Sequence, residues 1–213
     1  MIVKVCGMRH AENIRAVEQL FTAHSSLFTA WMGFIFWPKS SRYVSQRPDY
    51  LPTQCKRVGV FVDEDPEQVK RLADDYGLDY IQLHGQESPS YISRLGGLHV
   101  IKAFNIATAE DLLQTQPYEG LVDGFLFDAK GKSVGGNGEK FDWTVLAGYV
   151  GKTPFLLSGG IGPDDTAQVN AFIRGDLQSA RQCIGIDLNS RFELSPGLKD
   201  INKLKVFLKQ LNS

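Results

Sequence analysis

Eight times along this chain a short run of β-branched or aromatic residues is followed by a stretch with helical patterning. That rhythm constrains the fold more than any other feature. The strand candidates are Ile2–Cys6, Trp31–Phe36, Arg57–Val62, Tyr80–Leu83, Val100–Phe104, Gly124–Phe127, Pro154–Leu157 and Cys183–Ile186. The helix candidates are Ala11–Phe21, a short one near Asp49–Gln54, Pro66–Tyr76, Pro89–Leu95, Ala109–Gln114, Trp143–Val150, Pro163–Phe172 and Lys199–Leu211. In Asp65-Pro66, Ser88-Pro89 and Gly162-Pro163 a proline opens the first turn, where its missing N–H has no helical partner anyway.

Strict alternation of strand and helix predicts parallel strands joined by right-handed crossovers. Eight units over 213 residues favour a single (β/α)8 TIM barrel of parallel strands spanning 1–213. The alternative is an open doubly wound sheet. It is disfavoured because Cys6-Gly7-Met8-Arg9 lacks the later glycines of a dinucleotide fingerprint. A composition of 43% hydrophobic and 22% charged residues suits one substantial core.

A net charge of −1 gives no basic field for nucleic acid. The longest apolar stretch, Leu27–Trp37, falls well short of the roughly 20 residues that span a bilayer. Met1 leads straight into a strand pattern without a signal-peptide signature. The three cysteines, Cys6, Cys55 and Cys183, lack paired spacing and suit a reducing compartment. A cytoplasmic protein without nucleic-acid or membrane partners is expected. Whether it is a monomer or a homodimer stays open.

Side chains alternate faces along a strand. With Val3 and Val5 outward, Lys4 and Cys6 face the barrel interior. The same phase puts Gln82, His84, Lys102 and Asp128 inside. Most of these sit at the C-terminal strand ends, where barrel active sites are built. Burying them without purpose is costly. His84 reads equally as a satisfied core histidine, and Lys102 as the partner of a structural carboxylate. A nearby Lys4 would lower the Cys6 thiol pKa.

After the seventh strand comes Ser158-Gly159-Gly160, and after the eighth Asp187-Leu188-Asn189-Ser190. Adjacent glycines let backbone N–H groups approach an anion, and these two loops form the recurrent phosphate site of such barrels. Gly131–Gly138 reads as a mobile lid or as a plain surface loop. Arg42, in the loop after the second strand, has the fork to clamp a carboxylate. Of four histidines only His84 lies at a strand end, so a metal site of the kind a sugar-phosphate epimerase needs is not expected. A non-catalytic phosphate sensor would have no use for Cys6 and Asp128 together, and Cys6 has no resolving cysteine nearby for redox work.

Seven segments occur in one order: Lys4-Val5-Cys6-Gly7; Gly33–Phe36 with Ser40–Val44; Gln82-Leu83-His84-Gly85; Asp128; Gly135–Gly138 with Phe141-Asp142-Trp143; Ser158-Gly159-Gly160; and Pro196–Asp200. Together they resemble the phosphoribosylanthranilate isomerase family of tryptophan biosynthesis, and the likeness runs from Val3 to Asp200. The resemblance implies an Amadori rearrangement with no metal and no cofactor. It implies Asp128 as general acid on the ring oxygen and Cys6 as general base at C2. It implies Arg42 as ligand of the anthranilate carboxylate and Gly159, Gly160, Ser190 and Arg191 as phosphate ligands. Lys4, Gln82, His84 and Asp187 complete the expected substrate site. Two departures stand out. The family's Ser-Pro-Arg is Ser40-Ser41-Arg42 here, and its Ser-Gly-Val-Glu is Ser190-Arg191-Phe192-Glu193. If that glycine supplied a positive φ, Arg191 would be strained.

Overall fold

The computed structural model describes residues 1–129, 143–175 and 178–211. Eight parallel strands close into one barrel, each hydrogen-bonded to its neighbours in sequence order and β1 to β8. They are β1 Ile2–Val5, β2 Thr29–Ile35, β3 Lys56–Phe61, β4 Tyr80–Leu83, β5 Val100–Ile106, β6 Gly124–Ala129, β7 Phe155–Ser158 and β8 Cys183–Leu188. The closing seam sets Lys4 opposite Asp187.

Two apolar populations follow from the alternation. Trp31, Val58, Ile101, Ala103, Leu126 and Leu156 fill the barrel, with Cys6, Ile35 and Val60 in a separate cluster. Val3, Val5, Phe34, Phe61, Leu83, Phe125, Phe127, Phe155 and Ile186 pack outward with the helices in the main core. Those helices are α1 Ala11–Thr22, α2 Pro66–Tyr76, α3 Pro89–Ser93, α4 Thr166–Ile173, α5 Gln178–Gln182 and α6 Ile201–Gln210. Helix α1 buries Ile14, Val17, Leu20 and Phe21 on one face, the spacing an amphipathic helix requires. Helix α2 starts as expected. Asp65 caps the backbone N–H groups of Glu67 and Gln68, and Gly77 ends the helix at φ 57°.

Four sequence expectations change. No helix forms at Asp49–Gln54. Pro52 cannot donate in a helix interior, and the segment is held instead by Glu18 of α1. The Glu18 carboxylate accepts from the Tyr50 hydroxyl and from the backbone N–H groups of Thr53 and Gln54, the latter two at 2.6 Å. The fifth and sixth connecting helices are 3-10 segments, Ala109–Tyr118 and Trp143–Gly148. Helix α4 begins at Thr166, three residues after Pro163. Lys102 faces outward. Ile101 and Ala103 point into the barrel, so the residue between them meets the outer layer. Its ammonium lies 5.3 Å from the Phe104 ring and 3.2 Å from the buried Glu87 carboxylate. Alternation fixes the relative phase of a strand, and Val100-Ile101-Lys102-Ala103 offers apolar residues for either choice.

The chain also folds an antiparallel pair after the barrel, β9 Glu193–Ser195 and β10 Leu198–Lys199. No periodicity announces strands this short. Among the described residues no helix is long and apolar enough to cross a membrane.

Candidate active site

The polar strand-end residues gather at one mouth of the barrel. Cys6, Gln82, His84, Asp128, Ser158, Gly159, Gly160, Asp187, Asn189, Ser190 and Arg191 all line a cavity of about 180 Å³. A larger hollow of about 700 Å³ opens at the N-terminal ends of β2 and β3, beside the missing second helix, and none of these residues lines it. Lys4 and Arg42 are not in the cavity lining. The expected lid at Gly131–Gly138 lies outside the described residues.

Cys6 follows β1 and is 3% exposed. Its sulfur faces Gly33 of β2 so closely that a Cβ there would stand 2.7 Å from Sγ. Lys4, wholly buried, donates to Asp187 Oδ1 at 2.9 Å. Asp187 Oδ2 accepts from the Ser158 hydroxyl at 3.3 Å. Burial works against the Lys4 ammonium, yet Asp187 and Cys6 outweigh it and hold its pKa above the ordinary lysine value. The thiol moves in the direction opposite to the sequence expectation. Burial pushes Cys6 up, and the opposing pull of Lys4 and Lys199 does not offset burial and Asp187. Sequence shows the neighbouring cation but not how dry the sulfur is.

Arg42 is held from the far side. Its Nε donates to both Glu193 carboxylate oxygens at 2.9 and 3.0 Å, and Nη2 donates to Oε2 at 2.6 Å. Lys199 adds a fourth cation-to-carboxylate bond at 2.6 Å. Burial alone would push Glu193 up, but these bonds outweigh it and hold the carboxyl below its usual range. The Nε edge of Arg42 is therefore taken, leaving Nη1 beside the Ser41 hydroxyl at 3.5 Å. Glu193 and Lys199 were missed as site-building residues. Both lie in segments that carry the family resemblance, Ser190–Glu193 and Pro196–Asp200, but neither segment shows that Glu193 meets Arg42 and Lys199.

Asp128, on β6, points inward with 22% of its side chain exposed. His84 Nε2 stands 3.8 Å from its Oδ2. Gly159 and Gly160 have φ of 98° and 71°, which only glycine adopts freely. Ser190–Phe192 forms a short 3-10 turn after β8. Arg191 has no positive φ, so replacing the family glycine brings no backbone strain. A Cβ built on Gly162 would lie 3.4 Å from Arg191 Nε, which places the guanidinium beside the loop that follows β7.

Burial raises the other two thiols as well, Cys55 to about 12 and Cys183 to about 11. Unfolding returns thiols to about 8.5. Below that value their contribution to stability is complete. Above it the unfolded chain loses protons first, so stability falls with rising pH, by at most about 1.4 kcal/mol per unit per thiol. The urea midpoint is expected to drop steadily above about pH 9. A midpoint that holds constant there would contradict these burial effects.

The fold and this mouth define a (β/α)8-barrel protein whose strand ends bring a thiol, a carboxyl and a glycine cradle to one cavity. The model of a family described as N-(5'phosphoribosyl)anthranilate (PRA) isomerase matches residues 3–210. The N-(5'-phosphoribosyl)anthranilate isomerase of Phocaeicola vulgatus is 49% identical over 213 residues, spanning 99% of this chain and 98% of that protein. Phosphoribosyl anthranilate isomerase from Thermotoga maritima shares the fold with a TM-score of 0.77 and 31% identity, over 100% of this chain and 99% of that one. A phosphoribosyl anthranilate isomerase solved in complex with reduced 1-(o-carboxyphenylamino)-1-deoxyribulose 5-phosphate aligns over 100% and 99%, with a TM-score of 0.74 and 28% identity. The chain belongs to the N-(5'-phosphoribosyl)anthranilate isomerase family.

Proposed function

We propose that the chain converts N-(5'-phosphoribosyl)anthranilate to 1-(2-carboxyphenylamino)-1-deoxyribulose 5-phosphate, the isomerase step of tryptophan biosynthesis, with Asp128 as acid and Cys6 as base. One observation carries the assignment of roles: Cys6, Asp128 and the Gly159-Gly160 cradle line the same cavity. Asp128 gives its proton to the ring oxygen. The C1–O bond breaks, and the nitrogen lone pair forms an iminium. The Cys6 thiolate then takes the C2 proton. The C–H pair becomes the C1–C2 double bond, and the iminium electrons return to nitrogen. The enolamine tautomerises to the ketone.

A thiol held up by burial is by itself a poor base. The iminium places a positive charge beside it, which favours the thiolate when the base is required. Lys4 adds to this from beneath, and Asp187 with Ser158 fixes the floor. Arg42 would meet the anthranilate carboxylate through its Nη1 side, since Glu193 holds the other edge. The phosphate would sit on the Gly159, Gly160 and Ser190 backbone, with the Arg191 guanidinium beside it. The decisive test mixes the purified protein with freshly made phosphoribosylanthranilate and follows loss of its fluorescence. No loss above the spontaneous background would end the proposal.

Arg191→Gly separates side-chain from backbone phosphate binding. Removing the cation is expected to raise KM about tenfold with kcat unchanged, because phosphate is held equally in ground and transition states. The salt sensitivity of KM should weaken as well. An unchanged KM would remove Arg191 from the phosphate site.

A further inference from the structure

Three polar side chains from β4 and β6 form a chain across the mouth. Gln82 Nε2 lies 2.9 Å from His84 Nδ1, and His84 Nε2 lies 3.8 Å from Asp128 Oδ2. Gln82 is 2% exposed, so its amide is fixed by the strand it grows from. Its Oε1 is buried without a partner among the described residues, which leaves the imidazole as the amide's one fixed contact. An amide nitrogen donates and does not accept. With the amide nitrogen turned towards the ring, Nδ1 accepts, and a neutral ring then carries its proton on Nε2. That N–H is on the side of the ring that faces the Asp128 carboxyl, 3.8 Å from its Oδ2. Backbone support is equally firm, since the His84 N–H donates to the Phe61 carbonyl at 2.8 Å.

We propose that His84 is the hydrogen-bond donor that stabilises the carboxylate Asp128 becomes, and that Gln82 is the positioning residue that keeps the His84 proton on Nε2. This rests on Asp128 acting as the acid. At 3.8 Å the pair is too long for a hydrogen bond. Once Asp128 has given its proton to the ring oxygen, its negative charge draws the N–H in. The bond is then made in the ring-opened state and not in the ground state, which is the condition for accelerating the step. No proton leaves the imidazole. His84 and Gln82 are thus assigned to the acid and not to the substrate.

Nitrogen-15 spectra of the imidazole near neutral pH test the tautomer, with an Nε2–H ring expected in the native enzyme. Gln82→Leu should lose that exclusive signature. A native ring carrying its proton on Nδ1 overturns the assignment. His84→Leu is expected to lower kcat about 10²-fold with little change in KM, and His84→Gln, which keeps an N–H donor, should recover part of it. In an Asp128→Asn enzyme no carboxylate forms, so adding His84→Leu should cost nothing further. A full additional loss in that background would make His84 a direct substrate ligand and sink the inference. Near-normal turnover of Asp128→Asn alone would instead remove the acid itself, which distinguishes failure of the underlying reading from failure of this one.

Discussion

Replacing Cys6 by alanine lowers kcat by about 10²- to 10⁴-fold, the range for loss of a positioned proton-transfer group, and leaves affinity for a phosphorylated substrate analogue nearly intact. Binding should survive because the proposed phosphate cradle comes from Gly159, Gly160 and Ser190, which are tied to β7 and β8 and not to the sulfur. The alanine methyl also fits. Gly33 leaves room for a sulfur, and a smaller group meets no clash there. A serine would not rescue the reaction, since its hydroxyl is a far weaker acid than a thiol and supplies almost no anion. The native pH profile carries an independent signature. Burial holds the Cys6 thiol above its ordinary value, so at neutral pH the reactive anion is the minor form. The rate constant kcat/KM should then climb up to about tenfold per unit on the alkaline side, and Cys6→Ala should lose that limb. Stopped assays over the profile check both. Wild-type turnover by the alanine variant would dismiss the thiol from the chemistry.

The barrel was legible because its signal is repeated. Eight apolar runs at the right intervals survive an error in any one of them, and the lost helix at Asp49–Gln54 did not change the topology. That helix failed on a local rule and a distant one. Pro52 argued against it from the start, whereas the Glu18 carboxylate that organises the replacement segment comes from α1, more than thirty residues away. Strand facing was legible where aromatic residues stood on one phase, as with Phe125 and Phe127, which put Asp128 on the other. It was not legible at Lys102, whose partner Glu87 lies in a loop with no pattern of its own.

The site shows the same division. Which side chains reach the mouth follows from the period of a strand, so Cys6, Gln82, His84 and Asp128 were placed together without coordinates. What surrounds them follows from packing. The sign of the Cys6 shift depends on how completely the sulfur is dehydrated, and the reach of Arg42 depends on a carboxylate 151 residues further along the chain. Neither quantity has a local sequence signature. The Arg191 departure gave a clear alternative, strain or no strain, and backbone geometry decided it.

Asp187→Ala is expected to destabilise the fold by about 3–5 kcal/mol, the usual consequence of leaving a buried charge without its partner. Lys4 has no exposed surface, and among the described residues the only salt-bridge partner of its ammonium, 2.9 Å away, is the carboxylate being removed. The register pairs these residues across β1 and β8, so the unpaired charge falls on the seam that closes the barrel. The urea midpoint should fall with the slope unchanged if the native state stays compact. The paired change Lys4→Met with Asp187→Leu should restore most of the loss, because two apolar side chains need neither hydration nor each other's charge. Activity should not return with stability. The restored protein lacks the cation that pulls the Cys6 thiol down against its burial, and Ser158 has lost its acceptor. A stable, slow enzyme therefore marks the ion pair as a device for the thiol. If the single Asp187→Ala change costs under about 1 kcal/mol, the ammonium has reached water by another route, and the seam does not depend on the pair.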